Sequence, residues 1–134
     1  MPLLLGAMLS CSAVPDISAE LTEYDELITD TRASACRCPE DLGFANRVEC
    51  DDAYGPVSIA ERQCLDDAVA GSEDDAQAHL DCVNMALQSY LQCLDANVEC
   101  EEGAYDACTG DYMVATAACP SMPAGVQTTF DACL

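Results

Sequence analysis

Lysine and tryptophan are both absent from this 134-residue chain, and its basic residues number four, all of them arginine. Against 25 aspartates and glutamates the formal net charge is -21, so phosphate backbones and anionic headgroups are repelled. Arg32, Arg37, Arg47 and Arg62 form no run, so no nucleic-acid partner is expected. Histidine occurs once, at His79, which leaves Ser/His/Asp or Cys/His catalysis a single imidazole to draw on. His79 follows Gln77-Ala78 in an acidic helical segment, where a solvated position is expected. Aromatic residues are scarce, two Phe and five Tyr, and the other apolar residues are largely alanine, which bury little area each. A core built from these residues needs covalent help. No segment alternates with period two, and hairpin signals and β-branched runs are missing, which argues against a sheet.

What the chain does have is eleven cysteines. Cys11 stands apart from the rest, closing the uncharged opening Met1-Pro-Leu-Leu-Leu-Gly-Ala-Met-Leu-Ser10, while the other ten run from Cys36 to Cys133. Setting Cys11 aside leaves an even number, as a disulfide framework requires. Ten cysteines in a chain this short fit an oxidising compartment better than a reducing cytosol. Each of five bridges stabilises by roughly 2–4 kcal/mol.

The opening is far shorter than the roughly 20 apolar residues that cross a bilayer as a helix. Met8-Leu9-Ser10-Cys11 resembles the lipobox of bacterial lipoproteins, in which small residues precede a cysteine that is lipidated and becomes the mature N-terminus. The family usually has Leu where Met8 stands and Gly or Ala where Ser10 stands, and it has a basic leader region that this opening does not show, which leaves open whether the start codon lies upstream. The resemblance implies a signal peptide over 1–10, lipidation at Cys11, a tether over 11–17 and a single cysteine-rich domain over 18–134. The alternative is an apolar tail whose Cys11 joins an ordinary disulfide.

Helical spacing runs through this domain. Leu21, Tyr24, Leu27, Ile28 and Thr31 recur behind Ser18, a predicted N-cap, and this helix is expected to end near Cys36, since Pro39 disfavours helix before it. A short helical turn is predicted from Glu40 to Glu49, followed by the turn-rich Asp51-Asp-Ala-Tyr-Gly-Pro56. Ser58-x-x-Glu61 has the capping-box pattern and opens a segment running to Gly71. Ser72-Glu-Asp-Asp75 reads as a second box-like start, and Leu80, Val83, Leu87, Tyr90, Leu91 and Leu94 then form the longest amphipathic stripe, ending near Asn97. A fifth segment from Glu101-Glu102 to Cys119-Pro120 is interrupted by Gly103 and Gly110 and is expected whole or in two pieces. Pro123 opens the last, with Val126, Phe130, Cys133 and Leu134 on its face. The expected fold is all-α, a small disulfide-stapled bundle of about five or six short helices.

The cysteine spacings sharpen this expectation. Cys82 and Cys93 are eleven apart, as are Cys108 and Cys119, almost three helical turns, so each pair shares one helix face about 16 Å apart. Two such helices lying antiparallel are cross-linked twice if Cys93 joins Cys108 and Cys82 joins Cys119. The arrangement resembles the twin-cysteine hairpins of small oxidised helical proteins, although Cys100 lies in the connection. Ten cysteines allow roughly 945 connectivities, and Cys36, Cys38, Cys50, Cys64, Cys100 and Cys133 are left unassigned. Tyr90, Tyr105 and Phe130 each precede a cysteine by three positions, which places ring and sulfur on one helix side as core packing. The whole layout, with Cys36-x-Cys38-Pro39 and an ending in Cys119-Pro120-x-x-Pro123 to Cys133-Leu134, is similar to the small cysteine-rich lipoproteins of myxobacteria and related predatory bacteria. That family has no assigned function.

Three chemistries are open to these residue types. Cys36-x-Cys38 has the form of a redox dithiol, but thioredoxin-type chemistry uses Cys-x-x-Cys on a βαβ scaffold, and two structural cysteines with different partners are expected instead. Cu(I) storage bundles place cysteines inward one turn apart, whereas here no two cysteines are three or four apart. Asp51-Asp52, Asp66-Asp67, Glu73-Asp74-Asp75 and the glutamates at 99, 101 and 102 lack EF-hand spacing and offer at most weak divalent cation binding on a solvated face. The expectation is a non-enzymatic, cofactor-free interaction module of the bacterial cell envelope, periplasmic or on the outer membrane, or else secreted. Its partners are the membrane, through the lipid, and an unidentified protein or envelope component. Thiol-based copper binding and thiol–disulfide redox activity are the alternatives.

Overall fold

The computed structural model describes residues 13–134, so Cys11, the lipobox and the 1–10 signal segment lie outside the described residues. Six helices follow in chain order, α1 Ser18–Ala35, α2 Arg47–Ala53, α3 Ile59–Val69, α4 Glu73–Ala96, α5 Ala104–Ala117 and α6 Ala124–Asp131, with a 3-10 turn Pro39–Leu42 after α1. There is no strand among the described residues. The fold is the disulfide-stapled all-α bundle expected from periodicity and cysteine count.

α4 is the spine. Its 24 residues span about 36 Å, and Leu80, Val83, Leu87, Tyr90 and Leu94 of the sequence stripe are buried along it, with Leu91 half-buried at the edge. α1 lies beside it in the same direction, as the bonds between the two helices show. Gln77 Nε2 donates to Glu20 Oε1 (3.2 Å), Asn84 Nδ2 to the Glu20 carbonyl (3.1 Å), Gln88 Nε2 to Glu23 Oε1 (2.6 Å), and Ser34 Oγ to Asp95 Oδ1 (2.7 Å). In a chain without lysine, side-chain amides of α4 and a hydroxyl of α1 supply the donors that let carboxylates of both helices lie at this interface. The parallel pairing requires a return path. The 3-10 turn, α2 and α3 provide it, with α3 running back along α1.

The core has two parts that meet at Tyr24. At one end Ile17, Leu65, Val69, Ala76, Leu80, Met122 and Phe130 join α1, α3, α4 and α6. At the other, Ala35, Val83, Leu87, Tyr90 and Leu94 pack with Cys108 and Cys119 of the α4–α5 pair. Phe130, only 2 % exposed, is the largest of the fully buried side chains and lies 5.2 Å from the Tyr24 ring, centroid to centroid.

Several helix ends differ from the sequence reading. Ser58 forms the capping box, its Oγ accepting from Glu61 N at 3.1 Å while Glu61 Oε2 accepts from Ser58 N at 2.7 Å. The bond from Ser58 N foremost, then the Ser58 hydroxyl and the nearby Arg32 charge, hold the Glu61 carboxyl below its ordinary range against the opposing effect of burial. Ser72 makes no such bond; the Glu73 carboxylate turns back to accept from Gly71 N at 2.9 Å instead, where Gly71 has the left-handed φ of 86°. Ser18 is the first helical residue, not the cap, and Asp16 Oδ1 accepts from both its backbone N (3.0 Å) and its hydroxyl (2.6 Å). α2 begins within the predicted helical turn and runs on through residues 51–53, where a turn was expected, because Asn46 caps it by accepting from Glu49 N at 3.0 Å and Cys50 anchors it. α5 starts later than expected, after Cys100 and Gly103 adopt φ values of 51° and 79°. It then runs unbroken through Gly110, which faces open space between two bridged cysteines that hold the helix on either side. Leu134 lies beyond α6 and is exposed, not on its buried face.

Replacing Phe130 with Ala removes the side chain joining α6 to α1 and α4, and is expected to destabilise the fold by about 3–5 kcal/mol in urea unfolding followed by circular dichroism. A loss below about 1 kcal/mol would show that the Cys64–Cys133 bridge alone holds α6 in place.

Candidate functional site

All ten cysteines from Cys36 to Cys133 are paired. Cys82–Cys119 and Cys93–Cys108 staple α4 to the antiparallel α5, the nested arrangement suggested by the eleven-residue spacings. The other three bridges are Cys36–Cys50, Cys38–Cys100 and Cys64–Cys133, and across all five the Cα atoms are 5.5 Å to 5.7 Å apart. Cys36 and Cys38 therefore belong to different bridges and do not form a dithiol pair. Cys36 and Cys50 are fully buried, whereas Cys100 is exposed and holds a left-handed backbone that is strained for a residue with a Cβ. The Cys38–Cys100 bridge is thus the one open to exchange. A titration with mild reductant followed by alkylation and peptide mapping is expected to label Cys38 and Cys100 first; labelling of Cys36 or Cys50 before them would refute this order.

Charge is distributed unevenly. Every arginine is engaged with a carboxylate: Arg32 with Glu61 (4.0 Å), Arg37 with Asp95 (2.6 Å), Arg47 with Asp51 (3.3 Å), and Arg62 with Asp25. Acidic groups cover most of the helices, yet residues 112–130 carry no charge at all, a neutral stretch between Asp111 and Asp131 in a chain of net charge -21. It forms the last six residues of α5, the following connection and nearly all of α6. No three His, Cys, Asp or Glu side chains among the described residues are grouped to hold a metal ion.

The neutral stretch frames a groove of about 390 Å³ where α1, α4, α5 and α6 meet. Tyr24, Tyr112 and Phe130 supply aromatic wall, Val83 and Met113 aliphatic wall, and His79, Gln127 and Asp131 the polar positions. Tyr90 stacks on Tyr112 with centroids 4.8 Å apart, occupying one face of that ring. His79 is not a free solvated residue: its Nδ1 donates to the Pro120 carbonyl at 2.8 Å, and its ring meets Phe130 edge-on at 6.1 Å. Gln127 ties the rim together, its Oε1 accepting from Met122 N (3.2 Å) and its Nε2 donating to Asp131 Oδ1 (3.0 Å). Burial, reinforced by Tyr112 and Asp131, pushes the Tyr24 phenol well above its ordinary range against the opposing pull of Arg32. Burial and then Asp131 raise Tyr112 likewise. Both phenols are thus neutral donors at physiological pH. The signal for this site in the sequence was the missing charge, not the residues that line it.

A second cleft, about 190 Å³ between α1 and α3, contains the buried Asp25 beside Arg62. Asp25 is 4 % exposed and its Oδ1 has no hydrogen-bond partner. Burial raises its pKa more than the Arg62 charge and hydrogen bond lower it, and Glu61 and Asp66 add to the rise. A raised folded-state pKa gives stability that is full below the unfolded value and is lost as pH rises through the folded one. At neutral pH the ionised Asp25 therefore opposes folding. Arg62 is 56 % exposed and remains hydrated without a partner. Asp25→Asn is expected to leave stability at pH 7 unchanged or higher, and to flatten its dependence on pH just above the ordinary carboxylate range. A loss at pH 7 approaching the roughly 3–5 kcal/mol of a broken buried ion pair would show that Arg62 outweighs burial.

No family model, curated protein or solved structure matches this chain. The fold and its bridges define the class, a small cysteine-rich helical module held by five disulfides, in which no described helix is long and apolar enough to cross a membrane.

Proposed function

We propose that the chain is a non-enzymatic interaction module of an extracytoplasmic compartment, tethered to a bacterial envelope by a lipid on Cys11. The observation that carries this reading is the complete pairing of the ten cysteines from Cys36 to Cys133, a state favoured under oxidising conditions. Paired sulfurs offer no thiolates to Cu(I), which favours the scaffold over the copper-binding alternative. Covalent closure also suits a binding surface, because groups held rigid before binding lose less entropy on complex formation. The neutral face over 112–130 supplies such a surface within an otherwise acidic exterior. Thiol–disulfide exchange is the second reading, and the exposed Cys100 restricts it to the Cys38–Cys100 bridge.

The test is the intact mass of protein purified natively from its host's membranes, alkylated with and without prior reduction. A diacyl or triacyl addition at Cys11, with ten alkylations gained only on reduction, is the expected result. Free thiols or retained copper without lipid would overturn the reading.

A further inference from the structure

We propose that the groove between α1, α4, α5 and α6 binds a small organic ammonium ion, its nitrogen at Asp131 beside the rings of Tyr24 and Tyr112 and its apolar body against Val83 and Met113. The assignment rests on the interaction-module reading and names the ligand class of that module.

Charge selects the sign. The chain carries -21, and its four arginines are all engaged with carboxylates, so a cation approaching the groove meets attraction at long range and no unpaired arginine. Asp131 is the one acidic side chain in the groove wall. Its Oδ1 accepts from Gln127, a bond that orients the carboxylate and leaves Oδ2 for a ligand.

The walls select the kind of cation. A hard divalent ion takes six or more oxygen ligands and gives up water reluctantly, which a single carboxylate among rings and aliphatic side chains cannot offset. An alkylated ammonium has low charge density, loses its hydration at small cost, and is attracted to aromatic faces within about 6 Å. Tyr90 takes one face of Tyr112, so the other is what the ring can give the groove. Tyr24 is held against Phe130 beneath it. A neutral apolar ligand would fill the same space but would desolvate the Asp131 carboxylate without replacing its lost water.

The site is formed before binding. Cys119 in its wall is bridged to Cys82, the Pro120 carbonyl is held by His79, and Gln127 joins Met122 N to Asp131. Little ordering is left for the ligand to bring about.

Titration of the oxidised full chain with phenyltrimethylammonium, followed by the aromatic ring signals in NMR, tests the assignment. Saturable shifts at Tyr24, Tyr112 and Phe130 are expected, with a neutral tert-butyl analogue of the same shape binding at least about fivefold more weakly. Asp131→Asn is expected to weaken binding about fivefold, and Asp106→Asn, which removes the same charge from α5 outside the groove, to change it by less than about twofold. Helical circular dichroism and the mass of five intact bridges confirm that each variant is folded. No saturation, equal binding of the neutral analogue, or equal effects of the two substitutions would each overturn the proposal. If the titration fails while the ten cysteines alkylate only after reduction, the ammonium assignment falls and the module reading stands. Free thiols in the native protein remove the module reading whatever the groove binds.

Discussion

The covalent pairing of α4 with α5 sets the terms for the rest of the molecule. Cys82–Cys119 and Cys93–Cys108 fix two helices antiparallel and in register, and this register gives α5 a buried side although little on it is large and apolar. Only Cys108 of α5 is fully buried, so its attachment to the core depends on sulfur more than on hydrocarbon. With α5 held, Tyr112 stacks on Tyr90, the connection past Pro120 is brought under His79, and α6 is delivered to the end of α1 and α4. Cys64–Cys133 closes the far side by joining α3 to the residue just past α6. The chain-entropy model assigns the 69-residue loop about 4.4 kcal/mol taken alone, an upper value because the other bridges already shorten the path between its ends. Such cross-links offset what alanine and a few aromatics cannot supply by burial.

Electrostatics shape the surface by a different route. A chain with 25 carboxylates and no lysine must bring acidic helices together without cations to spare, and it does so with amides. Gln77, Asn84 and Gln88 of α4 donate to Glu20 and Glu23 of α1, so the interface between the two longest helices is hydrogen-bonded, not ion-paired. Such bonds have no opposite charge to be screened by salt. The arginines serve elsewhere, Arg32 reaching the Gly55 carbonyl ahead of α3 and Arg37 the end of α4. What remains free of charge is the stretch 112–130, which ends at Asp131 in the groove wall.

Much of the helical framework was legible because its signals are local. The stripe from Leu80 to Leu94 repeats with the helical period, Ser58 and Glu61 sit at capping-box spacing, and Pro39 and Gly71 punctuate the chain where the helices stop. The misreadings share a cause: a local pattern with more than one way to be satisfied. Ser72 and Ser18 each lie beside a carboxylate that accepts a backbone N–H at the helix start, Glu73 from Gly71 and Asp16 from Ser18, while neither serine side chain caps its helix. Gly110 weakens a helix by about 1 kcal/mol, a local penalty that two bridges on the same helix outweigh. α2 is seven residues long and polar; its cysteine shows only after folding that Cys50 has a partner at the end of α1.

By itself the sequence determined the all-α class, the place of the main helices, the acidic exterior, and the nested pair Cys82–Cys119 and Cys93–Cys108 as a geometric option, since each depends on spacing along one or two neighbouring helices. Only the tertiary structure decided that Cys38 meets Cys100 and Cys64 meets Cys133, partners 62 and 69 residues apart whose approach depends on how every intervening helix turns. It alone buried Asp25 of α1 beside Arg62 of α3, and it alone gathered Tyr24, His79, Tyr112 and Asp131 from four helices around one groove. Periodicity tells which side of a helix is buried; which helix covers that side is settled by the packing of the whole chain.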